Sequence, residues 1–191
     1  MLAAVRLFEE RGYEQTTVTQ IAAAADVDPK TFFNYFGSKD EVLFTDAGND
    51  FDVLFDAIAE RRHHESPADV LRRAFQAFAA VRRAKIPVKG AEELSAVARL
   101  AMSTPALQAK GLYLLLEVQQ RVADELVKAF ADQLDPIDAA AMTGAVMGAI
   151  QQASLTSVRL GRSQAELWEA AERALEIATG RLATNGERNT A

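Results

Sequence analysis

The sequence predicts an all-α fold in which three short N-terminal helices form a head and a long helix leads into a larger helical body. Helix-start signals recur along the chain, each a short oxygen-bearing side chain followed by proline or by an acid or amide, as in Thr17-x-x-Gln20 and Asp28-Pro29. Between these signals apolar residues recur at intervals of three and four, the period of an amphipathic helix. No strictly alternating stretch bounded by hairpin turns competes with this pattern. About nine helices are expected, near residues 2–11, 17–24, 28–35, 39–63, 67–85, 90–101, 105–132, 136–160 and 164–183.

Length and composition limit the classes of protein that the chain can be. Its 191 residues, 49% of them apolar and 25% charged, suit a folded globular protein. The absence of cysteine excludes disulfides, a thiol nucleophile and a cysteine-bound zinc ion. The longest nearly uncharged apolar run, residues 139–150, is well short of the ~20 residues that span a bilayer, and the N-terminus lacks a secretory signal. We therefore expect a cytoplasmic protein with no cofactor.

An unusual number of rings falls in the short helix predicted at residues 28–35. With about 100° per residue, Phe32 and Phe36 share one face of this helix, and we expect that face to be buried. The opposite face is polar and has rings at its edges; it carries Lys30, Thr31 and Asn34, flanked by Phe33 and Tyr35. One side of the helix therefore anchors it, and the other presents donors and acceptors.

The preceding helix and this one form a helix-turn-helix layout. Only a few residues around Asp26 and Val27 separate them, and in that layout the second helix enters the DNA major groove. The first helix is expected to turn inward the apolar side chains of Val18, Ile21, Ala22 and Ala25. We assign a helix-turn-helix head to residues 1–45 and a larger helical body to residues 46–191. Periodicity alone leaves a second interpretation open, a compact helical subdomain with no contact role.

The segment GYEQTTVTQIAAAADVDPKTFFNYFGSKDEVL, residues 12–43, resembles the DNA-binding signature of the TetR family of bacterial transcriptional regulators. The matching elements are Gly12-Tyr13, Thr16-Thr17-Val18, Ile21-Ala22, Val27, the helix from Thr31 to Phe36, Ser38-Lys39 and Val42-Leu43. The remainder of the chain matches that family only in layout. The resemblance implies that residues 46–191 form a ligand-binding and dimerisation body. It also implies a homodimer whose partners are double-stranded DNA with a palindromic operator and a small-molecule effector.

The resemblance also implies roles for individual residues of the head. Thr17 would cap the helix that contacts the DNA backbone, and the groove would be faced by Lys30, Thr31, Phe33 and Asn34. Phosphates would be held by Tyr35 and Lys39. Lys39 lies at the predicted start of the next helix, which we expect Ser38 and Glu41 to cap. Phe33 stands where the family usually has Tyr, so its ring could contact a thymine methyl instead, and Asn34 suits an adenine edge.

Charge is the main departure from what the resemblance implies. The chain has a net charge of −6, and residues 1–45 contain four basic and seven acidic residues, a net of −3. This balance opposes phosphate binding, which depends on Lys and Arg. We therefore expect either a basic N-terminal segment that this numbering omits or a form that binds DNA weakly. A second departure is Asp26, where the family commonly has Gly; Asp can adopt turn conformations closed to most residues.

Two sets of residues are candidates for sites in the body. Small side chains on the last two helices would allow the close approach that a four-helix dimer interface needs; this set is Gly144, Ala145, Gly148, Ala171, Leu175 and Ala178. An apolar lining with a few polar groups would bind the effector; this set is Phe55, Phe75, Phe78, Arg99, Met102, Tyr113, Glu117 and Gln151. Ordinary packing within one chain is the alternative for both sets.

These features predict a transcriptional repressor released by a small apolar or amphipathic ligand. Binding would change the angle of helix 39–63 and hence the spacing of the two heads. The alternative is a helical sensor or adaptor that does not bind DNA in this form. The best candidate for an enzyme site is His63-His64 with Glu60 and Glu65. Adjacent His residues point about 100° apart on a helix, however, so they do not form the two-His face of a metal-dependent enzyme. No catalytic residue and no metal site are therefore predicted.

Overall fold

The computed structural model describes residues 1–85, 100, 103–131 and 133–186. Within those ranges the chain forms eight α-helices and no strand, so the predicted all-α class is confirmed. The helices are α1 Leu2–Arg11, α2 Val18–Ala24, α3 Pro29–Tyr35, α4 Glu41–Ala59, α5 Pro67–Lys85, α6 Pro105–Ala129, α7 Pro136–Arg159 and α8 Gln164–Gly186. Apart from Leu100, the predicted helix 90–101 lies outside the described residues.

The chain forms two compact units. Unit 1 comprises Met1–Asn49 and Ile86–Leu114, and unit 2 comprises Asp50–Lys85 and Leu115–Ala191. This partition differs from the predicted division at residue 45, because a second stretch of the chain groups with the N-terminal helices. Helices α4 and α6 each contribute residues to both units.

The core of unit 1 combines the three N-terminal helices with the start of α6. Phe8 of α1, Ile21 of α2 and Phe32 of α3 are 1%, 3% and 4% exposed. Leu107 of α6 is fully buried in the same cluster, and Leu100 joins it. Burial of one such side chain contributes about 2 kcal/mol to folding, so α6 is a structural part of this unit.

The core of unit 2 is built from one apolar face of each of its five helices. The side chains that fill it include Leu54, Ile58, Leu71, Leu126, Val146 and Leu175. At its edge the rings of Phe51 and Phe78 stack with their centroids 5.0 Å apart. A buried ion pair joins α4 to α5, where Arg82 Nη1 donates to Asp50 Oδ2 at 2.7 Å and the Asp50 side chain is 0% exposed. Removing one partner of such a pair leaves an uncompensated buried charge, so the pair ties the two helices together.

Helix α4 ends at Ala59, four residues before the end predicted from the sequence. The chain turns at residues 62–65, where the Arg62 N–H donates to Glu65 Oε2 at 2.8 Å. Both carboxylate oxygens of Glu65 also accept from Arg73 of α5, at 2.6 and 2.8 Å. Helix α5 then begins with a side-chain cap, because the Asp69 N–H donates to Ser66 Oγ at 3.2 Å. The Glu65 bridge therefore fixes the turn between α4 and α5.

The bridge should make stability depend on pH. Its hydrogen bonds from Arg73 lower the pKa of Glu65 from 4.5 to about 2. Between these two pH values the unfolded chain therefore binds more protons at Glu65 than the folded chain does. The stabilisation by the bridge is complete above pH 4.5 and is lost as the pH falls toward 2.

We expect Glu65→Gln to lower the free energy of unfolding at neutral pH by about 1–2 kcal/mol, because a charge-assisted pair of hydrogen bonds is lost. The difference from the parent should shrink as the pH falls below 4.5. Urea unfolding at a series of pH values measures it, with Glu169→Gln on an exposed part of α8 as the control. A difference that stays constant down to the acid limit would contradict the bridge.

Candidate nucleic-acid interface

The turn between α2 and α3 is closed by one residue in a left-handed conformation. Asp26 has φ +55°, and it is the single non-glycine residue with positive φ among the described positions. Its N–H donates to the Ala23 carbonyl at 3.2 Å, and the Val27 N–H donates to the Ala22 carbonyl at 3.0 Å. This is the Schellman pattern that terminates a helix, so Asp26 does what the sequence predicted at a position where Gly is common. Ala25, predicted to face inward, is exposed, because it is the last residue before the chain reverses.

The start of α2 is held by a reciprocal cap. The Gln20 N–H donates to Thr17 Oγ1 at 3.2 Å, and the Thr17 N–H donates to Gln20 Oε1 at 2.9 Å, as the spacing predicts. The Thr17 side chain is exposed. Since its oxygen accepts from Gln20, its hydroxyl proton can be donated to an outside acceptor.

Helix α3 is anchored through one ring and presents the rest of its side chains. Asp28 Oδ1 accepts from the Lys30 N–H at 2.7 Å and caps the helix, and Pro29 takes the first helical position. Phe32 is 4% exposed, and its ring lies 5.1 Å from the Phe36 ring, which is half-buried. The predicted anchoring face is therefore confirmed.

The outer face of α3 brings five of the predicted contact residues together. Lys30, Thr31 and Asn34 are exposed, and Phe33 and Tyr35 are 56% and 76% exposed. The Phe33 ring meets Phe32 edge-on with centroids 5.6 Å apart, which fixes its direction. An ammonium, a hydroxyl, an amide and two rings on one helix face match the donors, acceptors and apolar groups of base edges.

Lys39 lies apart from this face, against the loop between α1 and α2. Its Nζ donates to the Tyr13 carbonyl at 2.7 Å and to the Thr16 carbonyl at 3.3 Å. The same ammonium sits 4.0 Å from the centroid of the Tyr13 ring. Two of the three N–H donors of Lys39 are therefore already engaged within the protein, although the resemblance implies that this side chain holds a phosphate.

Two residues of this loop have structural roles that the sequence did not reveal. Thr16 is 1% exposed, and its hydroxyl lies 2.8 Å from the Gly12 carbonyl and 3.2 Å from the Leu7 carbonyl. Tyr13 packs on Phe8 with ring centroids 5.2 Å apart. Burial raises the pKa of the Tyr13 hydroxyl, and the neighbouring carboxylates of Asp40 and Glu14 raise it further. Helical periodicity does not signal these roles, because the contacts are made within a loop and between that loop and α1.

The segment after α3 also differs from its predicted form. Helix α4 begins at Glu41, two residues after the predicted start at residue 39. Glu41 Oε2 accepts from the Gly37 N–H at 2.7 Å. One of the seven carboxylates of the head therefore occupies a backbone donor close to the end of α3.

Residues 1–45 match the family described as "Bacterial regulatory proteins, tetR family". The HTH-type transcriptional regulator TcmR of Streptomyces glaucescens is 38% identical over 122 residues, which cover 63% of this chain and 54% of TcmR. HbdR of Aromatoleum sp., also an HTH-type transcriptional regulator, is 45% identical over 51 residues, covering 27% of this chain and 22% of HbdR. The N-terminal part of the chain is therefore similar to the TetR family of bacterial regulatory proteins. The chain spans about half the length of TcmR and less of HbdR.

Solved structures of TetR-family proteins share the fold of the chain. A TetR-family regulator of Mesorhizobium loti has a TM-score of 0.55 and 20% identity, covering 94% of this chain and 92% of its own. Thermus thermophilus FadR, a TetR-family repressor solved in complex with lauroyl-CoA, has a TM-score of 0.51 and 21% identity, covering 93% and 90%. At these identities the likeness extends to the fold alone.

The described members of the predicted effector-site set have different settings in the chain. Phe55 and Phe75 are buried in the core of unit 2 and Phe78 packs against that core, with the Arg121 guanidinium 3.8 Å from the Phe55 ring centroid. The other described members differ in setting: Tyr113 belongs to unit 1, Glu117 is exposed and Gln151 is half-buried. Arg99 and Met102 lie outside the described residues. For the three Phe rings, ordinary packing is thus the immediate role.

The predicted dimer residues divide between the surface and the interior. Ala145 is exposed, and Gly144, Gly148, Ala171 and Ala178 are half-buried. Leu175 is 4% exposed and belongs to the core of its own chain.

Neither a metal cluster nor a membrane span is found in the described part of the chain. No group of three metal-ligating His, Cys, Asp or Glu side chains occurs there, and none of its helices is long and apolar enough to cross a bilayer. His63, the last residue of the predicted helix 39–63, and His64 are exposed in the turn after α4, and Glu65 is bound by Arg73.

The left-handed turn gives a prediction that does not depend on function. We expect Asp26→Val to lower the free energy of unfolding by about 1–2 kcal/mol, because a β-branched side chain at φ +55° is strained. Asp26→Gly should be neutral or stabilising by up to about 1 kcal/mol at the same position. Thermal unfolding of both variants measures this, and equal stabilities for Val and Gly would contradict the turn conformation.

Proposed function

We propose that the chain is a cytoplasmic, sequence-specific DNA-binding regulator that binds a palindromic operator as a homodimer. It acts as a repressor that a small apolar or amphipathic ligand releases. The observation that carries the proposal is the outer face of α3, held outward by the buried ring of Phe32. A helix oriented in this way behind a short turn has the geometry that enters a major groove.

Each exposed residue of α3 suits a different part of the groove. Asn34 can pair with an adenine edge through both ends of its amide, and the Phe33 ring can contact a thymine methyl. Lys30 and Thr31 supply further donors near the start of the helix. The hydroxyls of Tyr35 and Thr17 can donate to backbone phosphates, which set the register of the helix without reading sequence.

One observation favours a second candidate, a helical sensor or adaptor that does not bind DNA. The head carries a net charge of −3, and Glu41 places a carboxylate on the Gly37 N–H. Nonspecific attraction to DNA should therefore be weak, and affinity must come from contacts to particular bases. The two candidates differ in whether any duplex is selected.

Selection from random duplexes at moderate salt tests the proposal. We expect enrichment of an inverted repeat by the parent protein, with relaxed preference at one base per half-site in Asn34→Ala, a loss of about 1–3 kcal/mol. Asp124→Ala, exposed on α6, is the control and should select the parent sequence. If a folded dimer enriches nothing, DNA binding is refuted and the sensor or adaptor is favoured.

The proposed dimer would form along α7 and α8. A Cβ atom built at Gly144 or Gly148 meets nothing within 4 Å, so no close contact inside the protomer requires glycine there. Large apolar side chains are exposed on the same helices, with Ile137 78% and Ile177 55% exposed. Glycines that face open space on a helix with exposed apolar neighbours support close approach by a second copy.

We expect Gly148→Leu to weaken dimerisation by roughly a hundredfold, since the added side chain is introduced twice at a two-fold interface. The protomer should stay folded because the position is open inside it. Sedimentation velocity over a range of concentrations and circular dichroism measure the two effects. Ala109→Leu, an exposed site on α6, is the control. An unchanged dimer constant would exclude this face.

The proposed effector would act on α4 from within unit 2. Asp50 of α4 is held by Arg82 of α5, so a rearrangement of α5 is transmitted to α4 through a buried charge. Rings near this pair, Phe51 and Phe78, suit a ligand with an apolar part. FadR of Thermus thermophilus binds lauroyl-CoA, an amphipathic molecule, on the same fold, which supports this ligand class for the proposal.

A further inference from the structure

Lys39 is held against the protein by three contacts, all made to the loop between α1 and α2. We propose that Lys39 is a positioning residue, which fixes this loop and thereby orients Thr17 toward the DNA backbone, rather than a phosphate ligand. The inference rests on the proposed function, because it concerns how the head binds DNA. It reverses the role that the family resemblance implies for this side chain.

The geometry at the ammonium leaves little of it for an outside anion. Two N–H groups point to the carbonyls of Tyr13 and Thr16, at 2.7 and 3.3 Å, and the Tyr13 ring lies 4.0 Å from Nζ. The side chain of Lys39 is half-buried, whereas that of Lys30 is exposed. To take a phosphate in the way a free Lys does, Lys39 would have to abandon charge-assisted hydrogen bonds to the backbone.

The loop that Lys39 holds is also fixed from its other sides. The Tyr13 ring packs on Phe8 of α1, and the Thr16 hydroxyl donates to the Gly12 carbonyl at 2.8 Å. Lys39, two residues before α4, therefore clamps a loop that is also packed on α1. The clamp connects the segment after α3 with the segment before α2.

Thr17 follows this loop directly, so the clamp determines where its hydroxyl lies. The Thr17 oxygen accepts from the Gln20 N–H, which leaves the hydroxyl proton for an outside acceptor. A Lys39 bound to the Thr16 carbonyl acts one residue away from that hydroxyl. Loss of the clamp would let the loop move, and the Thr17 contact would be lost although Thr17 is still present.

The two roles of Lys39 predict different salt dependence. A phosphate ligand contributes about one unit to the slope of log K against log salt per head, and a positioning residue contributes none. We expect Lys39→Met to bind the selected operator about tenfold more weakly with an unchanged slope, as for the loss of one or two hydrogen bonds. The matched variant Lys30→Met, at an exposed Lys, should lower the slope by about one unit per head.

A double-variant cycle with Thr17→Ala tests whether Lys39 acts through Thr17. If it does, the double variant has about the same operator affinity as the single variant that binds less tightly. If the two residues instead make independent phosphate contacts, the fold-losses in affinity of the two single variants multiply in the double variant. Amide hydrogen exchange of residues 13–17 in the unbound protein should also speed up in Lys39→Met while the exchange of α5 stays unchanged, which separates the clamp from general unfolding.

Each outcome decides the question. An unchanged slope, non-multiplying losses and faster local exchange support the positioning role. A slope lowered by about one unit per head in Lys39→Met, or losses that multiply, overturns it while leaving the proposed function intact. If the parent protein selects no duplex in the same assay, the proposed function fails and this inference fails with it.

Discussion

The reversal of the chain between α2 and α3 is the constraint on which the N-terminal unit depends. Two nested hydrogen bonds end α2, and Asp26 takes the left-handed conformation that they require. With the turn closed in this way, Phe32 reaches the same core as Ile21. Because α3 is seven residues long, the burial of that one ring determines which residues face outward. A change in this turn would therefore rotate or detach the whole outer face.

Features determined within three or four residues could be predicted from the sequence. The reciprocal cap of Thr17 and Gln20 and the inward direction of Phe32 follow from spacing alone, because both partners lie on one helix or at its end. The left-handed Asp26 also follows, since few residue types tolerate that conformation. The all-α class and the outer face of α3 rest on such local rules.

Features that depend on distant partners were not predictable in this way. Lys39 is bound to carbonyls 26 and 23 positions before it, and no periodicity connects them. Leu107 completes the core of unit 1 although it comes far later in the chain, which is why a boundary at residue 45 did not match the observed partition. The early end of α4 likewise depends on Arg73 of α5, which binds Glu65 across the turn. Dimer and effector sites depend on molecules outside the chain.

The acidity of the head lowers its nonspecific affinity for DNA, but it suits a regulator that a ligand releases from its operator. Counterion release supplies most of the nonspecific affinity of basic DNA-binding proteins, and it is insensitive to the relative placement of two heads. With a net charge of −3 in residues 1–45, that contribution is small. Binding then rests on contacts that must be made in both half-sites at once, each with strict geometry. A small displacement of α4 would therefore remove most of the affinity rather than only its specific part.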